Sequence, residues 1–188
     1  MNQIKTTLKL FAILMILVGV IYPVVITVMA QLFFPKEAGG SLLYDSGGKL
    51  TGSALIGQLF SDPKYFWSRP SASSGYPYNP LASGGSNLGP TNKDLIDQIS
   101  NRTEMLKSSG IQAPVPSDLV EASASGLDPH ISMQSALVQI PRVANARNLD
   151  KETLRKLVLE HVEERQFGFL GEQRINVLKL NLALDSMK

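Results

Sequence analysis

The sequence predicts an α+β protein: one N-terminal membrane-spanning helix followed by a single mixed α/β extracytoplasmic domain with a long Gly/Ser-rich loop. Three observations predict it. Leu10 to Phe34 reads LFAILMILVGVIYPVVITVMAQLFF without one charged residue, and roughly 20 apolar residues are enough to cross a bilayer as a helix. Behind that run, helix-period and strand-period apolar patterns alternate. Between them, Ser71 to Asn92 is dominated by Gly, Ser, Pro and Asn, with Leu81 and Leu88 as its large aliphatics. The expected division is an anchor over 1–36, its helix at about 10–34, and a soluble domain over 37–188.

The anchor's orientation follows from its flanks. Lys5 and Lys9 precede it, whereas Lys36 behind it is offset by Glu37. The positive excess keeps the N-terminus cytoplasmic and exports the rest. A cleaved signal peptide has a short apolar core; Val28-Met29-Ala30 would serve as its cleavage site, but the run is too long and continues through Phe34. Gly19 and Pro23 are tolerable in a membrane helix and predict a kink near Tyr22. They are also the points where partner helices would approach closely.

The composition excludes several classes. A net charge of +2, evenly spread, does not suggest a nucleic-acid partner. The absence of cysteine removes disulfides and thiolate metal sites. Two histidines, His130 and His161, are too few for a histidine-rich cluster, so no metal is expected.

Along the exported part, Gly39-Gly40 is an exit, and Leu42–Tyr44 and the segment from Lys49 flank the turn Asp45-Ser46-Gly47-Gly48, a hairpin pattern. From Asp62 aromatics and prolines crowd together, and a long irregular segment follows that is functional or disordered by type. Three readings stand for it. Ser83-Gly84-Gly85-Ser86-Asn87 could turn backbone N–H groups towards a phosphate, although the lysine of a Walker loop is missing. Trp67, Arg69, Tyr76 and Tyr78 are residue types that anchor protein interfaces. The third reading is an Ω-loop whose glycines only relieve strain.

Thr91 or Asn92 caps a helix reaching Lys107, with Leu95, Ile96, Ile99, Met105 and Leu106 on its apolar face. Pro114-Val115-Pro116 is a rigid connector. Ser125, Asp128 and His130 contain the residue types of a hydrolytic triad but lack the G-x-S-x-G elbow. Ser132 caps a helix that Pro141 breaks or kinks at Ile140. Arg142 and Arg147, five apart, do not share a helical stripe; they are surface residues or anchors against an acidic partner. Asp150 caps an amphipathic helix over Lys151–Gln166 with His161 on its apolar side. Arg174–Asp185 alternates leucines with smaller or polar residues, the pattern of a half-buried strand.

Taken together, five blocks carry a resemblance: Arg69-Pro70-Ser71; Tyr78-Asn79 with ASGGSN from Ala82; SASGLDP from Ser123; IPRVANAR from Ile140; and NVLKLNLALD from Asn176. In this order behind one membrane helix they resemble the C subunit of the Kdp potassium-transporting ATPase, a bacterial inner-membrane pump. Gln173 departs from the proline expected there. The resemblance implies a non-catalytic accessory subunit working with a channel-like potassium-binding subunit and a P-type ATPase subunit, with K+ as the transported ion. It further implies a catalytic chaperone that assists assembly and turnover and raises the ATP affinity of the pump subunit. The nucleotide contact would then lie at Ser83, Gly84, Gly85, Ser86, Asn87, Ser123, Ser125, Gly126 and Gln139. Docking to the partners would use Trp67, Arg69, Tyr76, Tyr78, Asp128, Arg142 and Arg147. An exported domain, however, meets no ATP, so the charge asymmetry favours an alternative: a cap on the outer mouth of the channel-like subunit. A membrane-anchored serine hydrolase is the remote alternative.

Overall fold

The computed structural model describes residues 2–112 and 114–187. The chain divides into two compact units, one ending at Leu42 and one beginning at Leu43.

The first unit is a helix of two parts, α1 (Asn2–Ile16) and α2 (Tyr22–Phe33), joined by a π-turn over Leu17–Ile21. Gln3–Phe33 is long and apolar enough to cross a membrane, and its side chains are not buried by the protein. Pro23 removes a backbone donor and crowds the carbonyl four residues earlier. The helix absorbs this by widening rather than breaking: the Tyr22 N–H reaches back five residues to Leu17 O. Gly19 lies inside the widened turn with open space around it. A short helix, α3 (Pro35–Ala38), ends at Gly39.

The second unit opens with the hairpin read from the sequence, β1 (Leu42–Tyr44) and β2 (Leu50–Ser53), closed by Asp45, whose carboxylate accepts from the N–H groups of Gly47 and Lys49. Ala54–Asn92 then forms no helix or strand. α4 (Lys93–Ser108) starts where expected, with the Asn92 side chain accepting the Asp94 N–H at 2.8 Å. Its apolar face is not buried as a stripe, however. Ile96 and Met105 are exposed, and Leu106 is the residue α4 places in the core.

A three-stranded antiparallel sheet of order β3–β5–β4 is built from β3 (His130–Ser132), β4 (Val162–Glu163) and β5 (Arg174–Asn176), with Ile131 opposite Ile175 and Glu163 opposite Arg174. Four helices pack around it: α5 (Met133–Leu137), α6 (Ile140–Arg147), α7 (Lys151–Glu160) and α8 (Val177–Ser186). Ser132 and Asp150 cap α5 and α7 as expected. Proline at the start of α6 needs no N–H partner, so the break falls at Val138–Gln139 and a new helix begins.

Two expectations are corrected. The helix from Lys151 stops at Glu160, not Gln166, because His161 Nδ1–H donates to Leu157 O at 2.8 Å and Val162–Glu163 pair with β5 instead. The closing segment is a strand only over Arg174–Asn176; from Val177 it is helix. Its leucines do alternate, but Val177, Leu180, Asn181 and Leu184 are buried and fall at helical spacing. Asn176 accepts the Lys179 N–H at 3.1 Å and supplies the cap that starts this helix.

Candidate partner-docking site

A stretch without secondary structure must satisfy its backbone groups some other way, since an unpaired buried N–H or C=O is costly. In the segment Pro63–Trp67, side chains from α6, α8 and the turn before α6 do this. Asn181 accepts the Phe66 N–H and donates to the Phe66 carbonyl, both at 2.9 Å. Gln139 does the same for Trp67, at 2.8 and 3.2 Å. Arg142 donates to the carbonyls of Pro63 and Tyr65 at 2.6 and 3.0 Å, and Arg147 to that of Lys64 at 2.8 Å. Phe66 is thereby driven fully into the core, while the Arg142 guanidinium lies 4.0 Å from the centre of the Trp67 ring. Burial pulls the Arg142 guanidinium down to about 10, so it stays protonated at neutral pH.

Beyond Trp67 the chain runs along an ionic line. Arg69 pairs with Asp128 at 3.1 Å. His130 stands between two carboxylates, Nδ1 at 3.3 Å from Asp128 and Nε2 at 3.4 Å from Glu163. Glu163 also takes Arg174 at 3.1 Å and Lys179 at 2.7 Å. Burial pushes the Asp128 carboxyl up, but hydrogen bonds from His130 and the charge of Arg69 outweigh it, leaving it below its ordinary 3.8. Glu163 is balanced in the same way, burial against Lys179 and Arg174, and ends below 4.5. Arg69, Asp128, His130, Gln134 and Arg174 line a cleft of about 530 Å³.

The two serine/glycine blocks meet. Gly84 N–H and Ser83 Oγ both donate to Ser125 O, at 2.9 and 3.0 Å. Ser71 Oγ donates to Gly126 O at 2.7 Å and accepts from the Tyr78 N–H at 2.8 Å. The approach requires glycine. A Cβ on Gly126, whose φ is +67°, would lie 2.7 Å from Gly84 O and 2.9 Å from Ser73 N. A Cβ on Gly57 would run into the Tyr78 ring. Tyr78 is buried there, its hydroxyl donating to Arg69 O, and burial pushes the phenol up to about 12.

The expected site residues therefore separate into groups. Ser83, Gly84, Ser125 and Gly126 are brought together, with Gly85 against Ala124 and Ser123 Oγ accepting the Gly126 N–H. Ser86 lines a separate cleft of about 630 Å³ with Ser71, Asp94, Asp97 and Arg102, and Asn87 is held at positive φ. Gln139 is not beside them for a ligand. It is fully buried, and its amide is filled by Trp67, Ser135 and Arg142. Of the expected docking residues, Tyr76 is exposed, whereas Trp67, Tyr78, Arg142 and Arg147 hold the protein's own loop. The triad is not assembled: both His130 nitrogens face carboxylates, and Ser125 Oγ accepts the Leu127 N–H beside Ser123.

Sequence reasoning missed Asn181 and Glu163. The signal for Asn181 was a polar residue at helical spacing among leucines. Glu163 gave none, because its partners lie 11 to 33 residues away in β3, β5 and α8.

The family KdpC, described as K+-transporting ATPase, c chain, matches residues 4–186. The chain is similar to the potassium-transporting ATPase KdpC subunit of Geobacter metallireducens, 56% identical over 187 residues that cover 100% of this chain and 99% of the relative. That of Methylococcus capsulatus is 52% identical over 189 residues, covering 100% and 99%. That of Burkholderia mallei is 54% identical over 184 residues, covering 97% and 95%.

Proposed function

Because the chain belongs to the KdpC family, we propose that it is a non-catalytic accessory subunit of an ATP-driven potassium uptake pump of the bacterial inner membrane. Its partners are the channel-like potassium-binding subunit and the P-type ATPase subunit of the same complex. One observation carries this reading: the match runs from residue 4 to 186, taking in the apolar helix and the second unit together. Two larger membrane proteins should co-purify with the full chain, and deleting it should abolish growth at limiting potassium. Isolation as a solitary protein with full pump activity elsewhere would refute it.

For mechanism, we infer an extracytoplasmic cap on the channel-like subunit. The apolar helix with lysines on its N-terminal side supports an exported soluble unit. The rigid segment Pro63–Trp67 and the exposed Tyr76 beyond it supply a fixed surface for docking.

Nucleotide sharing, with a raised ATP affinity of the pump subunit, is the second reading, favoured by the meeting of the Ser83–Asn87 and Ser123–Gly126 blocks. Against it, the Gly84 and Gly126 N–H groups are turned on the protein's own oxygens, and Asp94 and Asp97 line the neighbouring cleft. A cysteine at the exposed Ser108 of this cysteine-free chain decides the side. Reaction with an impermeant thiol reagent in intact cells is expected; reaction only in opened cells would transfer the case to the nucleotide reading.

A further inference from the structure

We propose that the tip of the β4–β5 hairpin, Phe167 with Phe169 and Leu170, inserts into the same lipid bilayer that the N-terminal helix crosses, giving the soluble unit a second membrane contact. The inference rests on the anchor reading above.

Phe167 is 87% exposed, Phe169 71% and Leu170 47%. The tip is ordered by its own bonds. Gln166 N–H donates to Leu170 O at 3.0 Å, Leu170 N–H returns to Gln166 O at 2.9 Å, and Gly168 N–H reaches Arg165 O at 3.0 Å. Phe167 sits at φ +53°, followed by Gly168 at +81°. A bulky side chain is seldom found there. Glycine would fit this turn with less strain, so the backbone holds an aromatic ring outwards against its own preference. Contiguous exposed apolar side chains mark a surface that is covered in use.

Lipid, rather than protein, is the occupant the surroundings favour. Apart from Glu164, the charged collar beneath the tip is ion-paired. Arg165 bonds Glu172 at 2.6 Å, the Gln173 amide donates to both Glu164 oxygens at 3.0 and 2.9 Å, and Arg174 meets Glu163 at 3.1 Å. Glu164 meets a neutral amide and keeps its negative charge, so the collar offers a protein rim little to answer and has no cationic excess that would demand anionic lipid. The tether supplies the rest. α2 ends at Phe33 and β1 starts at Leu42, and the residues between them extend to at most about 28 Å. That length bounds how far the start of β1 can stand from the end of the apolar helix. Three apolar side chains would hold a free protein on a vesicle weakly, but attachment makes the second contact intramolecular and correspondingly effective. Phenylalanine and leucine are suited to the interfacial region.

The test uses the full chain, alone and in the assembled pump, in phosphatidylcholine vesicles. Single cysteines replace Phe167, Ser108 or Val25 and carry a nitroxide. The F167C label should collide with a lipid-soluble relaxation agent and be protected from a water-soluble one roughly tenfold relative to S108C, the difference ~1.4 kcal/mol of burial gives. Adding Phe169→Asp should restore aqueous access, whereas Phe169→Leu should not. Equal aqueous access at F167C and S108C overturns the proposal. So does protection from both agents seen only in the assembled pump, which would assign the tip to a protein partner. A V25C label without the lipid signature overturns the anchor reading and this inference with it.

Discussion

The segment Pro63–Trp67 and the hairpin tip at Phe167–Leu170 are opposites. The first has no ladder, yet two buried amides and two arginines hold it, and Phe66 is sunk into the core. The second closes its own short ladder and leaves its aromatic rings in the open. Regular hydrogen bonding and burial are thus separable. What fixes a segment is whether its polar groups find partners; what stabilises the fold is how much apolar surface that placement removes from water.

Substitutions widen or narrow this contrast. The largest effect is expected from Asn181→Leu, which leaves the Phe66 N–H and C=O buried and unpaired. At about 1–3 kcal/mol for each of the two lost partners, the loss is roughly 2–6 kcal/mol. Trp67, the chain's one tryptophan, is the natural probe, and an unchanged urea midpoint of its fluorescence would remove the clamp from the explanation. Gly126→Ala comes next. A left-handed residue costs about 1–2 kcal/mol and crowding adds about 1–3, so the meeting of the two serine blocks should loosen even if the core survives. A midpoint equal to wild type would show that the blocks yield without cost.

Acid acts on the ionic line between the two regions. Asp128 and Glu163 both have folded values below their unfolded ones. Their contribution is complete above the unfolded values and is lost as pH falls through the folded ones. The Trp67 midpoint should decline in that acidic window, and Asp128→Asn should flatten part of the decline. A decline of undiminished size in the variant would place its origin elsewhere. The smallest effect belongs to the tip: Phe167→Gly relieves the positive φ and gives up no buried surface, so stability should stay within about 1 kcal/mol of wild type. A loss above that would mean the ring is packed after all.

The fold was legible wherever a local rule sufficed. Asn92, Ser132 and Asp150 announced their helices, Asp45–Gly48 its turn, and the uncharged run from Leu10 its helix. The closing segment misled because alternating leucines satisfy a period of two while Val177, Leu180, Asn181 and Leu184 satisfy a helix. Only the cap at Asn176 distinguished them. The candidate site was half legible. Its residue types stood out, but their purpose depended on pairings such as Asn181 with Phe66, 115 positions apart. Arginines and an amide that look poised for a partner are turned inwards, a fact that spacing along the chain does not carry.

The widened turn at Leu17–Ile21 has a consequence for neighbours. One additional residue per turn advances the helix by about 100°, so a line of side chains followed through α1 emerges on a different flank in α2. A straight helix lying alongside would touch this one over half its length and then lose it. Two neighbours, each following one part of the helix, match such a rod better than one, a fitting shape for a chain whose partners are two larger subunits.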